Sequence, residues 1–310
     1  MRVFMTGASG YIGSAVAREL VRAGHEVTGM HHSPESAARV RAAGATPIQG
    51  DLVDPATYAE VASEYDVLIH LAFDGEEGMA GDRAAVDTLI EAARSHMVHD
   101  AHLVYTSGCW VLGDTGDEPA DEDADVDHPA AVVNWRPAHE ERVLGMTGEG
   151  SGLTPTVIRP GMVYGGVGGL VTTMFASATE EGAARYVGDG ENRWSLVHRN
   201  DLATLYRLIV EERADGIFHA VDGAPVRVRD IARAASEAAG AGGETREVPL
   251  EEARAELGSM ADALVLDQAL VTRRAEEIGW KPAHASFLEG AGAAWREYRL
   301  GARDAAPSGP

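Results

Sequence analysis

The 310-residue chain has a single lysine, Lys281, and a single cysteine, Cys109. One cysteine excludes an intramolecular disulfide, so we expect a reducing, cytoplasmic setting. Acidic residues outnumber basic ones by 49 to 26, which gives a net charge of −23. A GC-rich genome or adaptation to salt would each explain this composition. Binding to nucleic acid or to an anionic membrane needs a basic face, so we expect neither partner.

Long apolar runs are also missing, since none approaches the roughly 20 residues that cross a bilayer. The apolar part of the N-terminal "MRVFMTG" is too short for a signal peptide. Short strand patterns instead alternate with helical patterns. The strand patterns lie at 3–5, 25–30, 45–52, 65–73, 101–108 and 153–166. This alternation predicts an α/β fold with a doubly wound, parallel Rossmann sheet.

The pattern changes beyond residue 170, where helical segments predominate. We therefore expect a dinucleotide-binding domain at 1–165 and a smaller, mostly helical C-terminal substrate lobe at 166–300. Some segments from the middle of the chain are expected to join that lobe. The tail at 301–310 is predicted to be frayed.

The stretch "MTGASGYIG", residues 5–13, lies between the first strand and an amphipathic helical pattern. Gly7 allows a tight turn, Gly10 leaves room for a pyrophosphate, and Gly13 lets the helix approach the sheet. Amides at the start of a helix bind anions, helped by the helix dipole. The stretch therefore predicts a phosphate-binding loop for a dinucleotide.

The end of the second strand reads "MHHS", with no carboxylate to bind both ribose hydroxyls of NAD. His31, His32 and Ser33 are candidates to donate hydrogen bonds to a 2′-phosphate, with Arg39 within reach on the next helix. These residues favour NADP over NAD as the cofactor. The alternative is that the histidines are solvent-facing loop residues.

Six stretches carry a resemblance to a known family: "TGASGYIGSA", "GDLVD", "HLAF", "YTSGCWVLGD", "IRPGMVYGG" and "VHRNDLATLY". In order and interval they resemble the short-chain dehydrogenase/reductase superfamily, in its extended or atypical branch of the NAD-dependent epimerase/dehydratase type. The resemblance implies a small-molecule substrate and a possible homodimer. It also implies cofactor contacts from Gly7, Ser9, Gly10, Tyr11, Ile12, Gly13, Asp51, Leu52, Leu71, Ala72, Phe73, Pro160, Gly161 and Val163.

The chain departs from the family at its catalytic pair, a tyrosine and a lysine four residues apart. Those positions fall near Val133 and Pro137, and the usual substrate-binding serine or threonine aligns with Gly108. The candidate replacements are Ser107 to bind the substrate oxygen, Tyr164 to supply a phenol and Arg136 to hold the ribose.

His139 is a further candidate, as a proton shuttle. For each of these four replacements, a purely structural role is the alternative: Tyr164 and Ser107 in local contacts, Arg136 and His139 on a solvated helix face.

Other patterns carry less chemistry. No histidine spacing typical of a metal site occurs on a helix, so we expect no metal. Cys109 is predicted to be buried, and the tryptophans Trp110, Trp135 and Trp194 are candidates to shape an apolar pocket.

The sequence therefore predicts an NAD(P)-dependent oxidoreductase that acts on a small carbonyl or alcohol with a non-standard proton relay. The alternatives are a non-catalytic NADP-binding sensor and a nucleotide-sugar epimerase or dehydratase.

Overall fold

The computed structural model describes residues 1–73, 78–95, 100–116, 118–146 and 152–305. Its strands are β1 Arg2–Thr6, β2 Glu26–His31, β3 Thr46–Gln49, β4 Val67–His70, β5 His102–Thr106, β6 Thr154–Pro160, β7 Met162–Tyr164, β8 Ala184–Val187, β9 Arg193–Trp194, β10 Leu196–His198, β11 Gly216–Ala220, β12 Val226–Arg227 and β13 Thr245–Val248. Its helices are α1 Gly13–Arg22, α2 Pro34–Ala42, α3 Ala59–Ala62, α4 Gly78–Ser95, α5 Arg136–Leu144, α6 Leu170–Glu181, α7 Arg199–Glu212, α8 Val228–Ala239, α9 Leu250–Leu257, α10 Met260–Leu264, α11 Arg274–Glu277 and α12 Phe287–Ala305.

Seven strands form the main sheet, in the order β11-β6-β5-β4-β1-β2-β3. Every neighbouring pair is parallel, which confirms the predicted doubly wound sheet. The strand order reverses between β1 and β4. In such sheets a crevice opens at this reversal, beyond the carboxyl ends of the strands.

Two apolar layers cover the sheet because successive side chains of a strand point to opposite faces. Val3 and Met5 of β1 pack with α1 and α7 on one face. Phe4, between them, packs with α3, α4 and α5 on the other. Both layers are fully buried at β1, so this strand is apolar without alternation, as its short run predicts.

A third apolar cluster forms the core of the C-terminal lobe, from α6, α8, α12 and the small strands around them. Cys109, Val111 and Leu112, from the segment after β5, belong to this cluster. A domain boundary at residue 165 stays a prediction. Among the described helices, none is long and apolar enough to cross a membrane.

The single strand predicted at 153–166 is two strands. The chain leaves the main sheet at Gly161, whose amide bonds the Ala220 carbonyl, and Met162 then bonds Ser195. A side chain at Gly161 would lie 2.3 Å from the Ser195 carbonyl oxygen. The close approach of these backbones therefore allows β7 to pair with β10 instead.

Two helices begin next to site residues. Helix α1 begins at Gly13, the last glycine of the loop, and α5 begins at Arg136, one residue before Pro137. Helix α12 has no predicted counterpart, and it continues through residue 305. The rest of the predicted frayed tail, residues 306–310, lies outside the described residues.

Candidate active site

The glycine loop after β1 is shaped by two close backbone approaches. Gly7 has φ +72°, and a Cβ there would lie 2.5 Å from the amide nitrogen of Ala72. A Cβ at Gly13 would lie 2.0 Å from the Gly7 carbonyl oxygen. Gly10 is exposed, and its Cβ would meet only that oxygen, at 3.2 Å. The loop is therefore a backbone cradle that opens at Gly10.

The cradle fits a pyrophosphate. Helix α1 starts at Gly13. The amides of Ser14 and Ala15 bond the carbonyls of Gly10 and Ile12 at 3.0 Å each, so the positive end of the helix dipole, rather than a row of free amides, faces the space beside the exposed Gly10. The loop brings Ser9, Tyr11 and Ile12 to the same end of the sheet as the last residues of β4.

Tyr11 connects this loop to the second lobe. Its hydroxyl donates to the Gly165 carbonyl at 2.8 Å, and its ring lies against Gly168, where a Cβ would approach it to 2.5 Å. The guanidinium carbon of Arg199 lies 5.3 Å from the ring centroid. Burial raises the pKa of Tyr11 well above its ordinary value. Tyr11 is therefore a fixed, neutral donor at the junction of the two lobes.

The residues at the end of β2 and just after it differ in their contacts and exposure. Ser33 caps α2, since its hydroxyl accepts from the Ser36 amide at 3.1 Å. The Nδ1 atom of His31 is buried and has no partner within the described part of the chain. His32 and Arg39 are exposed. The Ser33 hydroxyl thus already has a partner, and contact of His31, His32 or Arg39 with a 2′-phosphate stays a prediction.

The turn after β3 is held by its own polar groups. The Asp51 carboxylate accepts from the Val53 amide at 3.1 Å, and the Asp51 amide bonds the Thr57 hydroxyl at 2.9 Å. Leu52 packs against the apolar layer around Phe4. The turn presents Asp51 at the surface, where its contact with an adenine stays a prediction.

A cavity of about 340 Å³ opens at the carboxyl ends of β5 and β6. Predicted site residues that line it are Tyr11, Ile12, Phe73, Ser107, Arg136, Pro160, Gly161 and Val163. Residues that the sequence did not predict as site residues also line it: Thr106, Gly108, Val132, Val133, Met162, Gly169, Leu170 and Met260. The remaining lining residues are Cys109, Trp110 and Trp135.

Ser107 and Arg136 are the polar groups that define this cavity. The Ser107 hydroxyl is buried without a partner among the described residues, although the side chain lines the cavity. Arg136 donates to the Thr106 carbonyl at 2.7 Å. Its guanidinium carbon also lies 5.8 Å from the ring centroid of Phe73. The structure therefore brings together a free hydroxyl and a permanent cation.

The expected catalytic positions are shifted by one residue. Val132 and Arg136 line the cavity four residues apart, and Val133 lines it as well, whereas Pro137 does not. Helix α5 begins at Arg136, so this side chain projects from the first turn towards the cavity. Neither candidate position for the catalytic tyrosine supplies a phenol, because both are valines, and the phenol of Tyr11 in the same cavity already donates to the Gly165 carbonyl.

Tyr164 lies outside the cavity, contrary to the expectation from its loop. Its ring packs edge-on against His198 and Phe287, with centroids 5.1 Å and 5.2 Å away. Burial raises the pKa of Tyr164 well above its ordinary value. The β7–β10 pairing directs this ring into the C-terminal core, where it has no access to a substrate in the cavity.

His139 is also withdrawn from the cavity. It is 6% exposed, and its Nδ1 lies 2.7 Å from Asp82. The solvated helix face considered for His139 is therefore wrong. The next residue, Glu140, binds the buried Arg159 with Oε2 2.6 Å from a guanidinium nitrogen. These two contacts hold the inner face of α5 and so orient Arg136.

Asp82 of α4 is the centre of a buried polar network beneath the cavity, and the sequence did not reveal it. Its Oδ2 accepts from the Tyr105 hydroxyl at 2.7 Å and from His139 at 2.7 Å. Its Oδ1 lies 3.1 Å from Nε2 of His70. Burial by itself would raise the pKa of Asp82, but hydrogen bonds from the two histidines hold that pKa well below its ordinary value.

The network reaches the glycine loop through His70. Its Nδ1 lies 2.6 Å from the Thr6 hydroxyl, which accepts from the amides of Leu71 and Ala72 at 3.3 Å each. With Nε2–H donating to Asp82, Nδ1 accepts from Thr6, so a neutral His70 satisfies every contact. One carboxylate thus positions both ends of the site, because Tyr105 also lies 3.4 Å from Arg136.

Most of the other predicted side chains are apolar or aromatic and line this cavity. Cys109 is buried, as predicted, and burial raises the pKa of its thiol to about 12. The Phe73 ring, 56% exposed, stacks on Trp135 with centroids 6.3 Å apart. Trp194 instead lines a second cavity. The rings of Phe73 and Trp135 therefore lie beside Arg136, whose guanidinium carbon is 5.8 Å and 5.9 Å from their centroids.

One group of described residues has the composition of a metal site, although its spacing in the sequence is not typical of one: His198, His284 and Glu297. The rings of His198 and His284 stack with centroids 3.7 Å apart and planes within 20°. An ion cannot lie in two nearly parallel ring planes at once, as imidazole ligation requires. His198 also donates to Glu297 at 3.1 Å, so hydrogen bonding explains the group.

Comparison with known proteins decides the family. The sequence profile of the NAD dependent epimerase/dehydratase family matches residues 3–220. The chain belongs to this family. The match covers the whole main sheet, including the glycine loop and the cavity wall from β5 to β7, which is the part that the resemblance predicted.

Relatives extend this result beyond the matched region. The uncharacterized protein C2A9.02 of Schizosaccharomyces pombe is 32% identical over 93% of this chain and 97% of its own length. A 4-hydroxy-2-methyl-3-oxo-4-farnesyl-3,4-dihydroquinoline-1-oxide ketoreductase of Stigmatella aurantiaca is 29% identical over 82% of this chain and 78% of its own length. A 2-alkyl-3-oxoalkanoate reductase of Stenotrophomonas maltophilia is 26% identical over 78% and 76%.

Solved structures show the same fold. The dTDP-glucose 4,6-dehydratase of Streptomyces venezuelae, solved as a double mutant with NAD and DAU bound, has a TM-score of 0.80 over 96% of this chain and 97% of its own. The two sequences are 21% identical. The likeness therefore extends through the C-terminal lobe and concerns the fold alone.

Proposed function

We propose that the protein is an NAD(P)-dependent oxidoreductase that interconverts a carbonyl and an alcohol in the cavity at Ser107 and Arg136. The observation that carries this proposal is the unpartnered Ser107 hydroxyl, 7% exposed, in a cavity that also borders the glycine loop. The reductase names of two relatives support the reaction class.

The cofactor's contribution is the hydride that it gives or takes when bound. The glycine loop binds the pyrophosphate with its backbone, and Pro160, Gly161 and Val163 line the cavity where the nicotinamide would lie. The free Nδ1 of His31 favours a 2′-phosphate, and hence NADP, because no carboxylate follows β2 to hold the ribose hydroxyls.

The chain's residues then act on the oxygen. Ser107 donates a hydrogen bond to the carbonyl, and the cation of Arg136 stabilises the negative charge that develops there. Arginine keeps its proton at ordinary pH. The proton therefore reaches the oxygen at the Ser107 hydroxyl, which is replenished by water at the open mouth of the cavity.

A non-catalytic NADP sensor is the second candidate. The valines at 132 and 133 favour it, since they leave the cavity without the phenol that would donate a proton directly. An enzyme and a sensor both bind the dinucleotide, so turnover distinguishes the two.

The test begins with titration of the protein with NADPH and NADH by fluorescence, followed by the loss of absorbance at 340 nm with aldehydes and ketones. Gly10→Asp is the control for the site, because its side chain would enter the open cradle with a single tight contact, to the Gly7 carbonyl oxygen at 3.2 Å. We expect it to stay folded and lose binding. Unchanged binding in this variant would place the dinucleotide elsewhere.

Ser107→Ala tests the reaction itself. Loss of one donor to a developing oxyanion lowers kcat by about 100-fold, so we expect that loss with little change in NADPH affinity. Thr115→Ala serves as a control in the following loop, outside the cavity. Binding without turnover in the unaltered protein across the panel would favour the sensor.

Cofactor preference is tested separately with His31→Asp. A carboxylate at this position accepts from the ribose hydroxyls and repels a 2′-phosphate. We expect the ratio of the NADPH to NADH dissociation constants to rise by about tenfold or more, which corresponds to about 1.4 kcal/mol. An unchanged ratio would remove the assignment of His31 to this task.

A further inference from the structure

A second cavity, of about 420 Å³, lies between α6, α9 and the β8–β13 strand pair. It shares Leu170 and Met260 with the cavity at Ser107. The same two side chains therefore form the wall between the two spaces. The remaining walls are largely apolar, with Met174, Tyr186, Val187, Trp194, Val248 and Leu264 among the lining residues.

The charged residues at this cavity oppose an anionic ligand. Three carboxylates, Glu180, Glu181 and Glu256, line it together with one cation, Arg185. Arg185 lies 3.7 Å from Glu181, so its charge is already balanced. A phosphate or carboxylate in this cavity would meet uncompensated negative charge. The cavity therefore disfavours an anionic group, and its remaining, largely apolar lining favours an apolar one.

The wall between the cavities is adaptable. Leu170 and Met260 are both half-buried, and a methionine changes rotamer easily because its side chain is unbranched. At the outer edge, Leu257 remains 46% exposed. An apolar chain that leaves the first cavity past Met260 would continue along apolar side chains and would cover Leu257.

We propose that the second cavity binds the uncharged, apolar tail of the substrate whose carbonyl oxygen lies at Ser107. The substrate class is then a ketone or aldehyde with a long alkyl, prenyl or aryl substituent and no charge at its far end. The carbonyl end of this assignment rests on the proposed function, whereas the binding of the tail does not.

The kinetic test is a series of straight-chain aldehydes from butanal to dodecanal with NADPH. Each methylene buried against apolar walls increases binding by about fourfold. We expect kcat/KM to rise with chain length until the second cavity is filled. A kcat/KM that does not change beyond the first few carbons would overturn the proposal.

Two threonines of α6 supply a matched pair of variants. Thr173 and Thr179 are both exposed, and each hydroxyl bonds a carbonyl of its own helix, at 2.7 Å and 2.8 Å. Thr173 lines the second cavity, whereas Thr179 does not. We expect Thr173→Trp to lower the ratio of kcat/KM for decanal to that for butanal by about tenfold, with the ratio unchanged in Thr179→Trp.

A measurement without turnover separates this proposal from the proposed function. The neutral probe N-phenyl-1-naphthylamine is bound to the protein and displaced with ketones of increasing length. Displacement that strengthens with length and weakens in Thr173→Trp supports the apolar subsite even if no aldehyde is reduced. Equal displacement by short and long ketones, or stronger displacement by UDP-glucose than by decan-2-one, would overturn it.

Discussion

Two aspartates, the buried Asp82 beneath the cavity and the half-buried Asp222 beside β10, have pKa values that move in opposite directions. Asp82 receives hydrogen bonds at both oxygens, and its pKa is lowered. Asp222 accepts from the Ala224 amide at 3.0 Å, while its second oxygen is buried without a partner in the described part of the chain. Burial, and then the charge of Asp201, raise the pKa of Asp222 to about 7.

The difference shows that burial alone does not decide the charge of a carboxyl group. Around Asp82 the fold places three strong donors from three elements, and these offset the loss of hydration. Around Asp222 it places one amide donor and a second carboxylate. The site beneath the glycine loop is therefore organised around the fixed negative charge of Asp82. The C-terminal lobe instead contains Asp222, which titrates near neutral pH.

The largest expected effect on stability comes from removing the charge of Asp82. Asp82→Asn leaves donors of His70, Tyr105 and His139 without a full acceptor, and each poorly paired buried donor costs about 1–3 kcal/mol. We expect the free energy of unfolding in urea at pH 7 to fall by about 3 kcal/mol.

Asp87→Asn on the same helix is the control for Asp82. Asp87 forms partly exposed ion pairs with Arg83 and Arg142, which contribute less than about 1 kcal/mol. Equal losses in the two variants would mean that the Asp82 network adds nothing to stability.

For Asp222 we expect the opposite effect: removing its charge should increase the stability of the protein. Because the folded pKa of Asp222 is about 7 and that of an unfolded aspartate is about 4, the stability from its proton is complete below pH 4 and is lost as the pH rises to 7. Asp222→Asn should therefore match the unaltered protein near pH 4 and exceed it by about 1 kcal/mol or more at pH 8.

Thermal unfolding across this pH range measures the difference between Asp222→Asn and the unaltered protein. The exposed Asp215, before β11, provides the control as Asp215→Asn. A gap that does not widen between pH 4 and pH 7 would show that Asp222 is not the titrating group.

The smallest effect on stability is expected at Glu297. It lies in the same lobe as Asp222, but its carboxylate accepts hydrogen bonds from His198 and from the Gly166 amide. The hydrogen bond from His198 lowers the pKa of Glu297, so its contribution is present at neutral pH and lost as the pH falls through the folded value. Since the carboxylate is about a third exposed, Glu297→Gln should cost only about 0.5 kcal/mol at pH 7.

Urea unfolding of Glu297→Gln at pH 7 and pH 4 checks this expectation, with the exposed Glu289→Gln of the same helix as the control. The loss should shrink at pH 4, where the unfolded carboxyl begins to take up its proton, and it should disappear only below the lowered folded pKa. A loss as large at pH 4 as at pH 7 would point to packing of the side chain rather than to its charge.

The sequence predicted those parts of the site that depend on residues close to one another in the chain. Gly7, Gly10 and Gly13 were recognised because a strand, a loop and a helix follow one another within 20 residues. Ser107 was predicted because it adjoins Gly108, where the resemblance places the family's substrate-binding hydroxyl. Asp82 carried no such signal, since one polar residue in a helical pattern is ordinary and its partners lie at 70, 105 and 139.

Tyr164 shows most clearly where prediction from the sequence fails. Its position after an apolar strand is typical of a residue at the cofactor, and the sequence contains no sign that the chain leaves the main sheet at Gly161. The bend depends on the Ser195 carbonyl, 34 positions on in the chain, whose oxygen Met162 bonds at 2.8 Å. Only that contact turns the Tyr164 ring towards Phe287.

The sequence by itself determined the parallel sheet, the glycine cradle and the family, because each depends on patterns along the chain: the alternation of strands and helices, the glycine spacing in one loop, and the order of the motifs. The tertiary structure alone decided which side chains share the cavity, which carboxyl groups stay charged and where an apolar tail has room. Those properties depend on distances between elements far apart in the chain, such as Ser107, Leu170 and Met260. Such distances are set by packing, which spacing along the chain does not encode.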